Sequence, residues 1–429
     1  MRTRFISHLS ANTIQLVINQ LFGLVIFYIL SVDLDKSSFG GINLALALLL
    51  AVFSILSFGI DQVAVRKIAS GENPQSILSL YIIHVLITGL VFYIILGAIS
   101  SLMPSALKSY NLLLLIAAGK LAVYFSTPFK QSAIGLERFR LLAQMSVVSN
   151  ILRGTCLVVM AFLHQVTLQN VIYTFIGGDV LELMAAFFLF KGATGLPSGI
   201  QWSRNAYTAL IKESLPQLGV VIITSALARF DWIFIGIFVS AVKLAEYSFA
   251  YKVFEMSTLP LLAIAPILIP RFTKMFREGE PDIPSLQKLV RIEMIIAVAT
   301  VLVLNICWSP VIDPLTHSKY GEVNKWIIFI LSLCIPLQYL CNFYWTIYFA
   351  KGQLKLILKA FILTFIVNIF GDIILIPFYQ NTGAAIACLG GFIVQLAFYA
   401  RKSDVRILNL ATRPQKDVPG KATNPLPGT

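Results

Sequence analysis

Four charged residues stand inside apolar runs between residues 229 and 255: Arg229 and Asp231 before a short turn at 240–245, then Lys252 and Glu255. An ionised side chain at hydrocarbon depth is costly and persists when it is paired or faces water, so it marks a transport path or a buried ion pair. Lys252 and Glu255 are three residues apart and share one face of a helix, whereas Arg229 and Asp231 point roughly oppositely around theirs. Five more charges lie at similar depth: Lys120, Arg153, Asp179, Glu182 and Asp372. Asp179 and Glu182 repel each other unless countered, and Lys120 and Arg153 on adjacent runs are available to do that. A structural network of these four accounts for them as well as a functional site does. Asp372 has no evident partner. A carboxylate in such surroundings can change charge as they change, which makes Asp231, Glu255 and Asp372 the candidates for coupling to a proton or sodium gradient.

Uncharged polar residues form two stripes. Asn12, Gln15, Asn19 and Gly23 recur at helical spacing in the first apolar run, and Gln217, Thr224 and Asp231 recur at seven-residue steps in the seventh. Single amides and hydroxyls in spans commonly tie neighbouring helices together. Two stripes at equivalent positions of two halves suit a water-filled groove instead, with Arg229 and Lys252 beside it.

These residues must be positioned by membrane helices. Of the 429 residues 58% are hydrophobic and only 12% charged, with mean hydropathy +0.83. A soluble surface of that size cannot be made from so few charges. The net charge of +13 falls in short gaps between apolar runs rather than on one basic face, so no nucleic-acid partner is expected. Twelve helix-length spans are predicted near 10–30, 40–60, 79–101, 110–129, 143–163, 168–190, 214–239, 246–270, 289–310, 325–349, 356–377 and 383–400. The polar residues of the first run, Gln20 among them, make it too polar for a cleaved leader, so it is expected to be a retained span. With both termini on the cytoplasmic side, 24 of the 33 Lys and Arg fall in cytoplasmic segments and five outside. Such a split fixes the orientation. The chain is thus expected to be an all-α membrane protein of twelve helices in two six-helix lobes, residues 1–190 and 214–402. A cytoplasmic linker at 191–213 joins them, and a tail at 403–429 is disordered at its Pro-rich end.

Enzyme signatures do not emerge. There is no phosphate-binding loop, the four histidines are scattered, and the five cysteines lie in or beside spans without paired spacing. No catalytic residue, cofactor or metal is expected. Parallel six-span repeats place the substrate path between the lobes.

Several segments carry a resemblance. Arg229, Asp231, Tyr247, Lys252, Glu255, Pro270 and Arg271 follow the pattern of the bacterial polysaccharide transporters. These are the lipid-linked oligosaccharide flippases of the multidrug/oligosaccharidyl-lipid/polysaccharide exporter superfamily. Residues 39–70, 133–154 and 349–389 are similar to that family's second span, its loop into the fifth span and its closing signature, the last through Asn368, Pro377 and Gly383. The resemblance implies a flippase of undecaprenyl-pyrophosphate-linked O-antigen or polysaccharide repeat units in the bacterial inner membrane. It also implies membrane lipids, a polysaccharide polymerase and a chain-length regulator as partners. The interior charges, four positive and five negative, argue against a simple electrostatic trap for a pyrophosphate or an acidic glycan. A drug/cation antiporter of the same superfamily stays open as an alternative. So does a membrane glycosyltransferase or O-antigen polymerase, although the longest external segment, near 311–324, is short for one.

Overall fold

The computed structural model of the chain describes residues 2–102, 108–195, 200–261, 268, 272, 275 and 283–402; side chains are described from residue 18 onward except 108–110 and 283. Among the described residues the apolar runs fold as helix, because in hydrocarbon only intrahelical bonds satisfy the backbone. The helices are α1 (Arg2–Asp33), α2 (Lys36–Leu56), α3 (Ile60–Ala69), α4 (Pro74–Leu102), α5 (Lys108–Gly135), α6 (Phe139–Phe162) and α7 (Leu168–Thr194) in the first half. The second half holds α8 (Arg204–Phe238), α9 (Ala241–Ser257), α10 (Ile283–Leu315), α11 (Lys325–Ala350) and α12 (Leu354–Lys402). Nine helices among the described residues are long and apolar enough to cross a bilayer, and Ile18–Asp33 is a shorter apolar helix. α12 is two spans in one: Gln380, at φ 51° and ψ −129°, breaks it. The chain then doubles back, so that Gly371 meets Ala387 and Gly391 meets Thr364. Twelve spans in two lobes result.

Three of the boundaries that differ from those expected bear on the lobe interface. The second span ends early, at Leu56, because Phe58 (φ 55°) and Gly59 (φ 73°) take the left-handed region before α3 begins. The break frees the Leu56 carbonyl, which His84 Nε2 meets at 2.8 Å while Tyr207 OH lies 2.9 Å from Nδ1. Gly59 also leaves no room for a side chain, since a Cβ would stand 2.9 Å from Gln217. The eighth span starts at Ala241 and breaks at Thr258, much as its first-half counterpart does; most of its remainder lies outside the described residues. Residues 204–213 are already helix, the start of α8, and Leu210 buries itself with Ile60 and Tyr81 of the first lobe. The tail at 403–429 lies outside the described residues.

Within the first lobe α1 packs on α6, α4 on α5, and α7 on both α5 and α6; in the second, α11 packs on α10 and α12, and α8 on α12. α2 lies along α8 and α9 and joins the lobes. At its start only glycine fits, because a Cβ on Gly40 would meet the Ala241 carbonyl at 1.7 Å. Asp35 caps α2, its side chain accepting from the Ser38 amide at 2.9 Å. Large apolar side chains such as Ile94, Phe188, Ile306 and Phe370 are exposed on the outer faces. That pattern suits lipid rather than water, and the chain is a multi-pass membrane protein.

Candidate functional site between the lobes

α9 carries the centre of the site. Lys252 and Glu255, one helical turn apart, form an ion pair at 2.8 Å, and Arg229 of α8 reaches the other Glu255 oxygen at 3.4 Å. The Arg229 guanidinium is held over the rings of Trp232 (4.5 Å) and Tyr251 (5.7 Å). Lys252 and Glu255 face a cavity of about 630 Å³ bounded by Gln20 of α1, Gln338, Asn342 and Trp345 of α11, and Phe392 and Gln395 of α12. Its volume falls in the range of pockets that hold small organic ligands.

Behind α9 lies a dry compartment. Asp231 is buried and accepts from Tyr247 OH at 2.7 Å; its other oxygen accepts from the Trp232 amide at 2.8 Å. Asp372 is fully buried, and neither of its carboxylate oxygens has a hydrogen-bond partner. The charges of Asp231 and Asp372 act on each other, and the Cys388 thiol is within electrostatic reach of both. Of these two buried acids, Asp231 has a phenol and a backbone amide for partners and Asp372 has neither.

The first lobe is arranged differently. Asp179 is bridged by Arg153 and by Lys120 at 3.2 Å, while Glu182 is held by Lys130 and Ser149. Lys120 and Arg153 therefore both serve Asp179, and Lys130 takes the role at Glu182. A second cavity of about 450 Å³ in this lobe is lined by Ser57, Asp61, Lys120 and Tyr124, with Asp61 also accepting from Tyr81 OH.

Of the polar stripes, little reaches the cavity wall. Asn19 accepts from Asn150 at 3.0 Å and ties α1 to α6. Thr224 returns its hydroxyl to the Val220 carbonyl of its own helix at 2.9 Å, and Gln217 sits against the α2–α3 break. Asn12 and Gln15 have side chains outside the described residues, as do Pro270 and Arg271. The amides that do line the cavity are Gln20, Gln338, Asn342 and Gln395. A signal for two of them was present, since Gln338 and Asn342 stand one turn apart in an otherwise apolar span.

One end of the lobe interface, marked by Lys36, is closed. Lys36 and Lys243 both bridge Glu246, at 2.8 and 3.0 Å. Asn43 donates to Ser248 at 2.9 Å, and Asn324 donates to the Glu246 carbonyl at 2.8 Å. The rings of Phe249 and Tyr320 stack at 4.3 Å and 7°, with Phe39 edge-on to Tyr320.

Two helical lobes, an apolar exterior and an inner cavity with amides set in a largely apolar wall describe a polytopic membrane protein. The model of a family described as polysaccharide biosynthesis protein matches residues 7–276. That is more than half of the chain, and the chain belongs to this family. Solved structures share the fold at low identity. The lipid II flippase MurJ in an inward closed conformation aligns with a TM-score of 0.74 at 13% identity, over 91% of this chain and 86% of its own. An inward-facing multidrug resistance MATE family transporter of the MOP superfamily gives 0.68 at 15%, over 91% and 97%. The Vibrio cholerae MATE transporter VcmN, as a D35N mutant, gives 0.60 at 14%, over 94% and 98%. No curated protein matches the chain.

Proposed function

We propose that the chain is a flippase moving undecaprenyl-pyrophosphate-linked O-antigen or polysaccharide repeat units from the cytoplasmic to the periplasmic leaflet of the bacterial inner membrane. The observation that carries this is the amide-lined cavity between the lobes of a polysaccharide biosynthesis family member. The lipid tail can stay in the bilayer, so the protein need shelter only the hydrophilic head. Lobes 1–190 and 214–402 would rock about α2, α8 and α9 and open the cavity to each side in turn. The distribution of Lys and Arg favours a periplasmic Lys36 end with both termini cytoplasmic; on that reading the closed end faces the periplasm. Uphill movement needs a driving force, and the Asp231–Asp372 compartment, with Glu255 at the cavity, suits exchange of a proton or sodium ion. Polymerisation outside would draw the units onward.

The test is deletion with complementation, following lipid-linked repeat units by leaflet. The deletion strain should accumulate them on the cytoplasmic side, and Lys252→Ala protein at normal level should relieve the accumulation poorly. A strain that exports its units normally but loses resistance to cationic drugs would instead support the antiporter alternative.

A further inference from the structure

The chemistry of the cavity wall narrows what can sit against it. Its two charged residues, Lys252 and Glu255, are spent on each other, and the second Glu255 oxygen is taken by Arg229. A carboxylated sugar or a phosphate would therefore find no free cation among the described lining residues. To gain one it would have to displace Glu255 from Lys252 and leave that carboxylate facing the incoming anion. An uncharged sugar has no such conflict.

The rest of the wall suits that uncharged guest. Gln20, Gln338, Asn342 and Gln395 are amides, and each offers a donor and an acceptor without a charge. A sugar hydroxyl likewise both donates and accepts. Gln338 and Asn342 stand one turn apart on α11, so they are neighbours on one face. The Gln338 carbonyl oxygen and the Asn342 amide nitrogen are buried and have no hydrogen-bond partner. Native proteins rarely leave such atoms unsatisfied. One acceptor beside one donor matches a pair of adjacent ring hydroxyls. Trp345 and Phe392 add apolar ring faces to the same wall, against which the C–H face of a pyranose can lie. Trp345 is steadied by stacking on Phe349 at 5.2 Å and 24°.

We infer that this cavity binds an uncharged sugar of the repeat unit through Gln338, Asn342 and Trp345, and that it discriminates against uronic acids and other anionic sugars. The inference rests on the flippase function proposed above. The pyrophosphate lies outside the cavity, and selectivity among repeat units comes from the glycan.

The full-length protein in lipid nanodiscs tests this with three probes. They are a prenyl-diphosphate-linked trisaccharide of neutral hexoses, the same lipid with one hexose oxidised to a uronic acid, and the sugar-free prenyl diphosphate. The native protein should bind the neutral glycolipid about tenfold tighter than either of the others, a difference of the size that one or two well-placed polar contacts supply. Replacing Gln338 and Asn342 together by Leu should erase that preference. Glu255→Gln, which releases both Lys252 and Arg229 from the carboxylate, should raise affinity for the uronic-acid lipid relative to the neutral one. Equal or tighter binding of the acidic glycolipid by native protein overturns the inference while leaving the flippase function standing. Binding of neither glycolipid above the sugar-free lipid, with binding of a cationic dye such as ethidium, overturns both. The native comparison decides even if a variant fails to fold.

Discussion

Asp179 and Asp372 are both acids buried in the middle of apolar spans, and the two lobes treat them in opposite ways. In the first lobe Asp179 is met by Arg153 and Lys120, and its neighbour Glu182 by Lys130 and Ser149. In the second lobe Asp372 has no partner for either oxygen, and Asp231, whose charge it feels, is held by a phenol and a backbone amide. An acid bridged from two helices is an anchor for the packing of α5, α6 and α7 around it. An unbridged acid costs stability unless something mobile meets it, and a cell keeps such a cost where it is used. Asp179 is thus held by ion pairs, whereas Asp372 is held by none among the described residues.

Breaking the anchor should have the largest effect. Arg153→Met leaves Asp179 with Lys120 alone, and removing one partner of a buried pair costs about 3–5 kcal/mol. Folded protein in the membrane should fall sharply, and adding Asp179→Asn should restore much of it, as read by abundance and by thermal melting in detergent. Normal abundance with failed transport would make the first-lobe cluster functional and collapse the contrast.

Asp372→Asn should do the reverse. It exchanges an ionisable group for a neutral amide of the same shape and breaks no hydrogen bond of the described residues, so the melting temperature should hold or rise while transport is lost. A variant as unstable as Arg153→Met would show that Asp372 is an anchor as well.

The smallest effect is expected at Asp35, an acid outside the spans. Its hydrogen bond from Ser38 holds its carboxyl below the ordinary value of 3.8. The cap is therefore fully in place above that value and is lost as pH falls through the lowered one. Asp35→Ala should cost about 1 kcal/mol at neutral pH. That difference from the native protein should vanish in a melting series carried to strongly acid pH. A deficit that persists there would mean that Asp35 acts through something other than its charge.

Much of the architecture was legible in the chain because hydropathy acts residue by residue. Helices form where apolar runs are long enough, and Lys252 and Glu255 meet because three-residue spacing puts them on one face. What a periodicity cannot give is the neighbour. Asn19 lies on a polar face as the spacing requires, yet that face turns to Asn150 of α6, while Gln20, one residue on, reaches the cavity. Thr224 satisfies itself on its own helix. Lys130 sits close to the end of an apolar run and passes for a loop charge until α7 brings Glu182 beside it. The amides of α11 and α12 carry no charge to draw attention, and they become a wall only when Gln20 closes it from the other lobe.

The stacked rings of Phe249 and Tyr320, with Phe39 against them, have a thermodynamic consequence. If the protein works by the proposed alternating access, the Lys36 end must part, and parting it exposes the Phe39 face of these rings as well as separating Lys36 from Glu246. Exposure of apolar area to water raises the heat capacity, so the enthalpy of opening grows with temperature. If opening limits turnover, the logarithm of the transport rate plotted against inverse temperature bends rather than running straight. Because burial of apolar surface holds less firmly in the cold, cooling loosens this closure even as it slows the chemistry of the cell around it.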